Sequence, residues 1–219
     1  MSPRSTYHHG DLRAALVAAA RALFAERGVT GVSIAEAARR SGVSGAAPYR
    51  HFSGRLDLLS AAATAAGREL HDEMQAALEE PVPGGSVDPV TRAVEDLAVL
   101  ARVQVRFQQD HGAAFELILA EELQAFPDQE RREVTRSMFD LLLAPAMTIT
   151  GSVEAANPLL RAFTAVANGF AQLSRGGGVS GYPTDLRGFP DEHELVAAEA
   201  AQAVRTLARA AVGSAPARD

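Results

Sequence analysis

Apolar residues recur at helical spacing along almost the whole chain. Leu12, Leu16, Ala20, Leu23 and Phe24 form an i, i+4, i+8 stripe, which predicts a first helix capped by Asp11 and ended by Gly28. Ser33 can cap a short second helix, Ile34 to about Arg40. Gly42-Val43-Ser44 reads as a tight connection to a third short helix that runs to about Phe52, where Ser53-Gly54 breaks it. A long fourth helix is expected from about Arg55 to Glu79, and Pro81-Val82-Pro83-Gly84-Gly85-Ser86 follows it as a linker. Five further helices are predicted near 89–110, 113–125, 128–149, 155–175 and 191–212. Pro127, Gly151, Pro158 and the stretch from Gly176 to Pro190 punctuate them. No period-two alternation and no internal repeat is present, so the chain reads as all-α with about nine helices.

Composition narrows the chemistry. The 219 residues are 47% hydrophobic, enough for one or two packed domains, and contain no cysteine. Disulfides, thiolate metal sites and thiol nucleophiles are thereby excluded. No apolar run approaches the ~20 residues of a membrane span. With no apolar secretory core near Met1, a cytoplasmic protein is expected.

The net charge of −6 argues against a polyanionic partner until its distribution is read. Residues 1–60 carry eight Arg against four acids, whereas the rest carry 13 Arg against 23 acids. A basic head on an acidic body suits a protein that meets phosphates with one end. His8 and His9 are adjacent and do not face one metal site. No metal or other cofactor is expected.

The segment from Ser33 to Arg55 holds the informative pattern. A small Ala38 one turn before Gly42 lets two short helices cross closely, and Gly42 can take the positive φ of a sharp turn. Ser44 would cap the next helix. Gly45, Ala46 and Ala47 make its first turn small enough to approach a surface, with Pro48 placed within that turn. Tyr49 can donate to a phosphate, Arg50 can fork onto a guanine edge or a phosphate, and His51 can donate to either. Tyr49 and Phe52 also fit a core, and His51 fits helix packing. Free N–H groups at Ser33, Ser44 and Arg55 suit phosphate oxygens.

This segment resembles the tetracycline-repressor (TetR/AcrR) family of bacterial regulators. The likeness rests on Phe24-x-x-x-Gly28, Ser33-Ile34-x-x-Ala37-Ala38, Gly42-Val43-Ser44 and Tyr49-Arg50-His51-Phe52-x-x-Arg55-x-x-Leu58-Leu59, and it covers residues 8–60 densely. Tyr7-His8-His9-Gly10-Asp11-Leu12 and Ala46-Ala47-Pro48-Tyr49-Arg50-His51-Phe52 look like one subgroup with a Trp-His-Gly signature in its C-terminal domain. Here Thr164 and Asn168 stand where Trp and His would be, and Gly169 is kept.

The resemblance implies a helix-turn-helix DNA-binding domain over 1–56 and a helical effector-binding and dimerisation domain over 57–219. Ser33, Ser44, Tyr49 and Arg55 would hold phosphates. Gly45, Ala46, Ala47, Arg50 and His51 would face base edges, with Gly45 removing a side chain that could read a base. The expected partners are double-stranded, palindromic operator DNA, a second copy of the chain and a small hydrophobic effector that releases repression.

Leu159, Leu160, Phe163, Val166, Phe170 and Leu173 on one helix would form the dimer bundle with Leu195, Val196, Ala200, Val204 and Leu207 on another, unless these stripes pack within one chain. Phe107, His111, Phe115, Met138, Phe139, Met147 and Asn168 are candidate pocket residues. The rival readings are a helical adaptor that binds protein through residues 33–55 and a helical enzyme. The second lacks support, because no Glu-x-x-His pair occurs and Glu121-Glu122 and His193 fit a solvated face.

Overall fold

The computed structural model describes residues 9–80, 88–175 and 192–212. These form eight α-helices: α1 (His9–Arg27), α2 (Ile34–Arg40), α3 (Arg55–Glu79), α4 (Pro89–Asp110), α5 (Gly112–Ile118), α6 (Gln129–Thr150), α7 (Val153–Arg175) and α8 (Glu192–Val212). Three short 3₁₀ turns, Val29–Gly31, Pro48–Arg50 and Glu121–Leu123, join them. No described residue is in a strand. The expected linker and the Gly176 to Pro190 stretch lie outside the described residues.

Three local expectations are corrected. First, α1 begins at His9, so Asp11 lies inside it rather than capping it. Second, the helix expected near 113–125 stops at Ile118 and gives way to the Glu121–Leu123 turn. Third, the segment after Ser44 is no α-helix but a 3₁₀ turn at Pro48–Arg50. Pro48 sits four residues beyond Ser44, where an α-helix would need its missing N–H to reach the Ser44 carbonyl. The chain uses shorter steps instead: Ala47 N donates to Ser44 O at 3.0 Å and His51 N to Pro48 O at 2.9 Å.

Two compact units organise the chain, and they interleave along it. The first comprises 1–69 with 112–135, and the second 70–111 with 136–219. The first is built on the predicted α1 stripe. Leu16, Ala20, Leu23 and Phe24 pack with Val32, Ile34, Ala37, Phe52, Leu58, Leu59 and Ala62. Leu117 and Leu123 complete this core from a distant stretch of chain, each only 1% exposed. Full burial of one such side chain is worth about 1.5–3 kcal/mol.

A polar clasp reinforces that stretch. Arg131 donates from Nη2 to the Leu123 carbonyl (2.5 Å) and from Nε to Ser60 Oγ (3.1 Å). Ser60 donates to Asp128 at 2.6 Å, and Asp128 caps α6 by accepting from Arg131 N at 3.0 Å. Burial pushes the Asp128 carboxyl up. The bonds from Ser60 and Arg131, with the Arg131 charge, outweigh burial and leave it below its ordinary value of 3.8.

The second unit is centred on α4, α7 and α8, which pack on one another. Asp88 caps α4 by accepting from Val90 N (3.0 Å) and Thr91 N (3.1 Å). Leu159, Leu160, Phe163, Leu195, Val196, Ala200 and Val204 are all buried within this single chain. The two stripes expected to form the dimer bundle are therefore mostly internal core. They face the apolar side of α4, and only Leu173 and Leu207 of those positions are exposed. Ion pairs fasten α8 to α4 at both ends, Glu194 with Arg102 and Arg106, and Arg205 with Glu95.

Candidate nucleic-acid interface

The helix-turn-helix geometry is set by two caps. Ser33 Oγ accepts from Glu36 N at 3.2 Å and starts α2. Gly42 ends it with φ +67°, a conformation that L side chains rarely adopt. Val43 N reaches back to Ala38 O (3.1 Å) and Gly42 N to Arg39 O (3.2 Å), the paired bonds of a Schellman motif. Ala38, one turn before this cap, is 1% exposed.

Beyond that turn the backbone stands outward. Ser44, Gly45, Ala46, Tyr49 and Arg50 are exposed, Ala47 and His51 are half-buried, and Pro48 and Phe52 point inward. Tyr49 is 62% exposed, so its ring is not core. Phe52 is 1% exposed and lies beneath the Arg13 guanidinium, 5.5 Å from the ring centre. A Cβ added at Gly45 would meet nothing within 4 Å. The Pro48 ring thus anchors a tip whose outer face is a phenol, a guanidinium and small side chains.

Most of the basic charge of this unit is already paired. Arg21 forks onto Glu69, Arg40 onto Glu26, Arg39 and Arg27 meet Glu36, and Arg13 approaches Glu130. The hydrogen bonds from Arg40 and Arg39 hold the Glu26 and Glu36 carboxyls below their ordinary value. Arg50 alone among the described arginines of residues 9–60 has a side chain that makes no hydrogen bond or ion pair with a described residue.

Arg55 differs from the rest. Its Nε donates to Val32 O (2.9 Å) and its Nη2 to Val29 O (2.5 Å). The guanidinium therefore ties the start of α3 to the turn before α2, and three of its five N–H groups remain for another partner.

Known proteins place this head. Residues 16–62 match the profile described as bacterial regulatory proteins, tetR family. Over those residues the head is similar to the N-terminal domain of tetR-family bacterial regulatory proteins. No curated protein matches the chain. Among solved structures, a Rhodococcus sp. RHA1 protein of unknown function is 27% identical, with TM-score 0.69 over 94% of this chain and 98% of its own. A TetR-family transcriptional regulator of Streptomyces coelicolor (21% identity, TM-score 0.62, 92% and 90% covered) shares the fold. So does a TetR family transcription regulator of Marinobacter aquaeolei VT8 (18%, 0.61, 88% and 94%).

The seven candidate pocket residues fall in both units. Phe115 belongs to the first unit and the other six to the second. Phe107 is buried and stacks obliquely with exposed His111, ring centres 5.2 Å apart. Phe139 (46%) and Met147 (36%) are exposed, and Met138 is half-buried. Asn168 meets two residues absent from the expected set: Gln104 and Gln108 donate to its Oδ1 at 3.2 and 3.1 Å. The signal for them was a pair of amides at i, i+4 on the apolar face of α4. Among the described residues no cluster of His, Cys, Asp and Glu could hold a metal, and no helix is long and apolar enough to cross a membrane.

Proposed function

We propose that this regulator is a ligand-responsive repressor that grips a palindromic operator as a homodimer. Its 3₁₀ tip enters the major groove, with Arg50 and His51 at base edges and Gly45, Ala46 and Ala47 permitting close approach. Ser33, Ser44, Tyr49 and the free N–H groups of Arg55 hold the flanking phosphates. One observation carries the reading: an exposed Arg50 beside an exposed Tyr49, on a tip whose remaining side chains are too small to obstruct a duplex. Two copies place two tips on successive turns of one groove, which single heads rarely do with useful affinity. A small effector that favours the conformation with misplaced heads lowers operator affinity by its differential affinity for the two states. No step of this activity needs a catalytic residue.

The test is selection of bound duplexes from a genomic library, followed by titration of the winner at several salt concentrations. Binding that weakens steeply with salt supports the reading, as does sedimentation as a dimer. Arg50→Ala should cost about 1–3 kcal/mol on the selected site and relax base preference. An equal loss on selected and random duplexes would reduce Arg50 to a phosphate contact. Absence of duplex binding at low salt would favour a protein-binding adaptor instead.

A further inference from the structure

Glu36 is the meeting point of the basic charge around α2. Arg39 forks onto its carboxylate, with Nε donating to Oε2 at 2.9 Å and Nη2 to Oε1 at 2.7 Å. Arg27 approaches the same carboxylate from the last turn of α1 at 3.7 Å, and Arg40 at 4.0 Å. Arg40 is committed elsewhere, its Nη1 donating to Glu26 at 2.7 Å. Three guanidiniums thus share two carboxylates. The bond from Arg39 is the foremost cause that holds the Glu36 carboxyl below its ordinary value.

The start of α2 does not depend on this arrangement. Ser33 caps the helix through the Glu36 backbone N–H, not through its side chain. An exposed ion pair adds little to stability, because water solvates both partners and two long side chains lose freedom. The two partners are also unequal. The Arg39 side chain is 69% exposed even while paired, and that of Glu36 only 21%. The carboxylate is the sheltered partner and the guanidinium the outward one.

Arg39 lies in the last turn of α2, three residues before the positive-φ Gly42 that leads to the tip. Ser33, at the other end of the same helix, is one of the expected phosphate holders. A phosphate and a carboxylate offer an arginine fork the same kind of paired oxygen acceptors. Glu36 and a duplex phosphate therefore compete for one group.

We propose that Glu36 restrains duplex binding by occupying Arg39, a cation that would otherwise hold a phosphate of the DNA backbone. Phosphate contacts carry no sequence information, so the restraint holds down affinity for every duplex alike and leaves base reading to the tip. The inference rests on the duplex-binding reading, and its test separates the two.

The full-length protein, Glu36→Gln, Arg39→Ala and the double variant would be titrated against the selected duplex and a random one at several salt concentrations. Gln matches Glu in size and leaves the Ser33 cap in place, and the melting transition of each variant checks that it folds. Glu36→Gln should tighten binding to both duplexes about threefold or more and steepen the salt slope by about one, the increment of one further phosphate contact. Arg39→Ala alone should leave the slope as it is. In the double variant the gain should vanish, whereas a general effect of one lost negative charge would persist without Arg39. Absence of a gain from Glu36→Gln, a gain that survives in the double variant, or a shallower slope from Arg39→Ala alone would each overturn the proposal. A gain confined to the selected duplex would make Arg39 a base reader and overturn it too. Intact duplex binding that ignores Glu36 sinks the restraint alone, and absence of duplex binding by all the variants at low salt sinks the DNA reading with it.

Discussion

The tip of the first unit and the amide cluster of the second handle unsatisfied polar groups in opposite ways. At the tip, the Tyr49 and Arg50 side chains project into solvent without a partner among the described residues, where water satisfies them at little cost. In the cluster, Gln104 and Gln108 are buried and must be satisfied by the protein itself, so they converge on Asn168. An outward group waits for a macromolecular surface. An inward one specifies helix packing. The backbone follows suit: the tip is short 3₁₀ steps around a proline, and the cluster rides on two regular helices of 22 and 23 residues.

The largest expected effect tests whether the first unit really is stitched from two stretches of chain. Leu123→Ala should cost about 2–5 kcal/mol, since it opens a cavity in a fully packed site. Hydrogen exchange should show protection lost first in 16–62 and 112–135, with α4, α7 and α8 holding longer. Simultaneous loss in both units would erase the division drawn here.

Arg55→Ala comes next. The Val32 carbonyl loses its Arg55 donor and the Val29 carbonyl keeps only the Val32 N–H, so a stability loss of about 1–3 kcal/mol is expected in denaturant titration. A variant of unchanged stability but weakened duplex binding would make Arg55 a phosphate clamp only.

Acid should act on the first unit through Asp128. Its folded pKa lies below its unfolded one, so its contribution is present above the ordinary value of 3.8 and is lost as pH falls through the lowered folded value. Asp128→Asn should flatten the acid limb of a stability–pH curve below about pH 4 relative to wild type. An unaltered limb would mean that the clasp bonds contribute equally to the unfolded chain.

Gly45→Ala is the mildest change. Its added methyl meets nothing and φ is not in the left-handed region, so melting should stay put or rise slightly, by up to about 1 kcal/mol of stability. A shifted preference at one base step of the selected duplex would show that position 45 faces a base. No shift would confine reading to Arg50, His51 and duplex shape.

Helix periods, the positive-φ glycine of the turn and the outward placement of Tyr49 and Arg50 were all legible from spacing and residue type, because caps, glycines and apolar stripes act over a few residues. The α3 and α4 boundaries follow from Ser53-Gly54 and from Pro89 at the first turn for the same local reason. The segment after Ser44 departs from the expected α-helix because Pro48 lies four residues beyond Ser44, where an α-helix needs an N–H that proline lacks.

What only the tertiary structure decided is which apolar stripes meet which. The positions Leu159, Phe163, Val196 and Val204 read equally well as a face for a second copy or as core, since burial has no signature of whose side chain does the burying. Packing on α4 settles them as core within the chain. Likewise, Leu117, Leu123 and Arg131 lie more than fifty residues beyond the segment they complete. No local pattern links them to it, because contacts of that separation are set by the path of the folded chain rather than by its period.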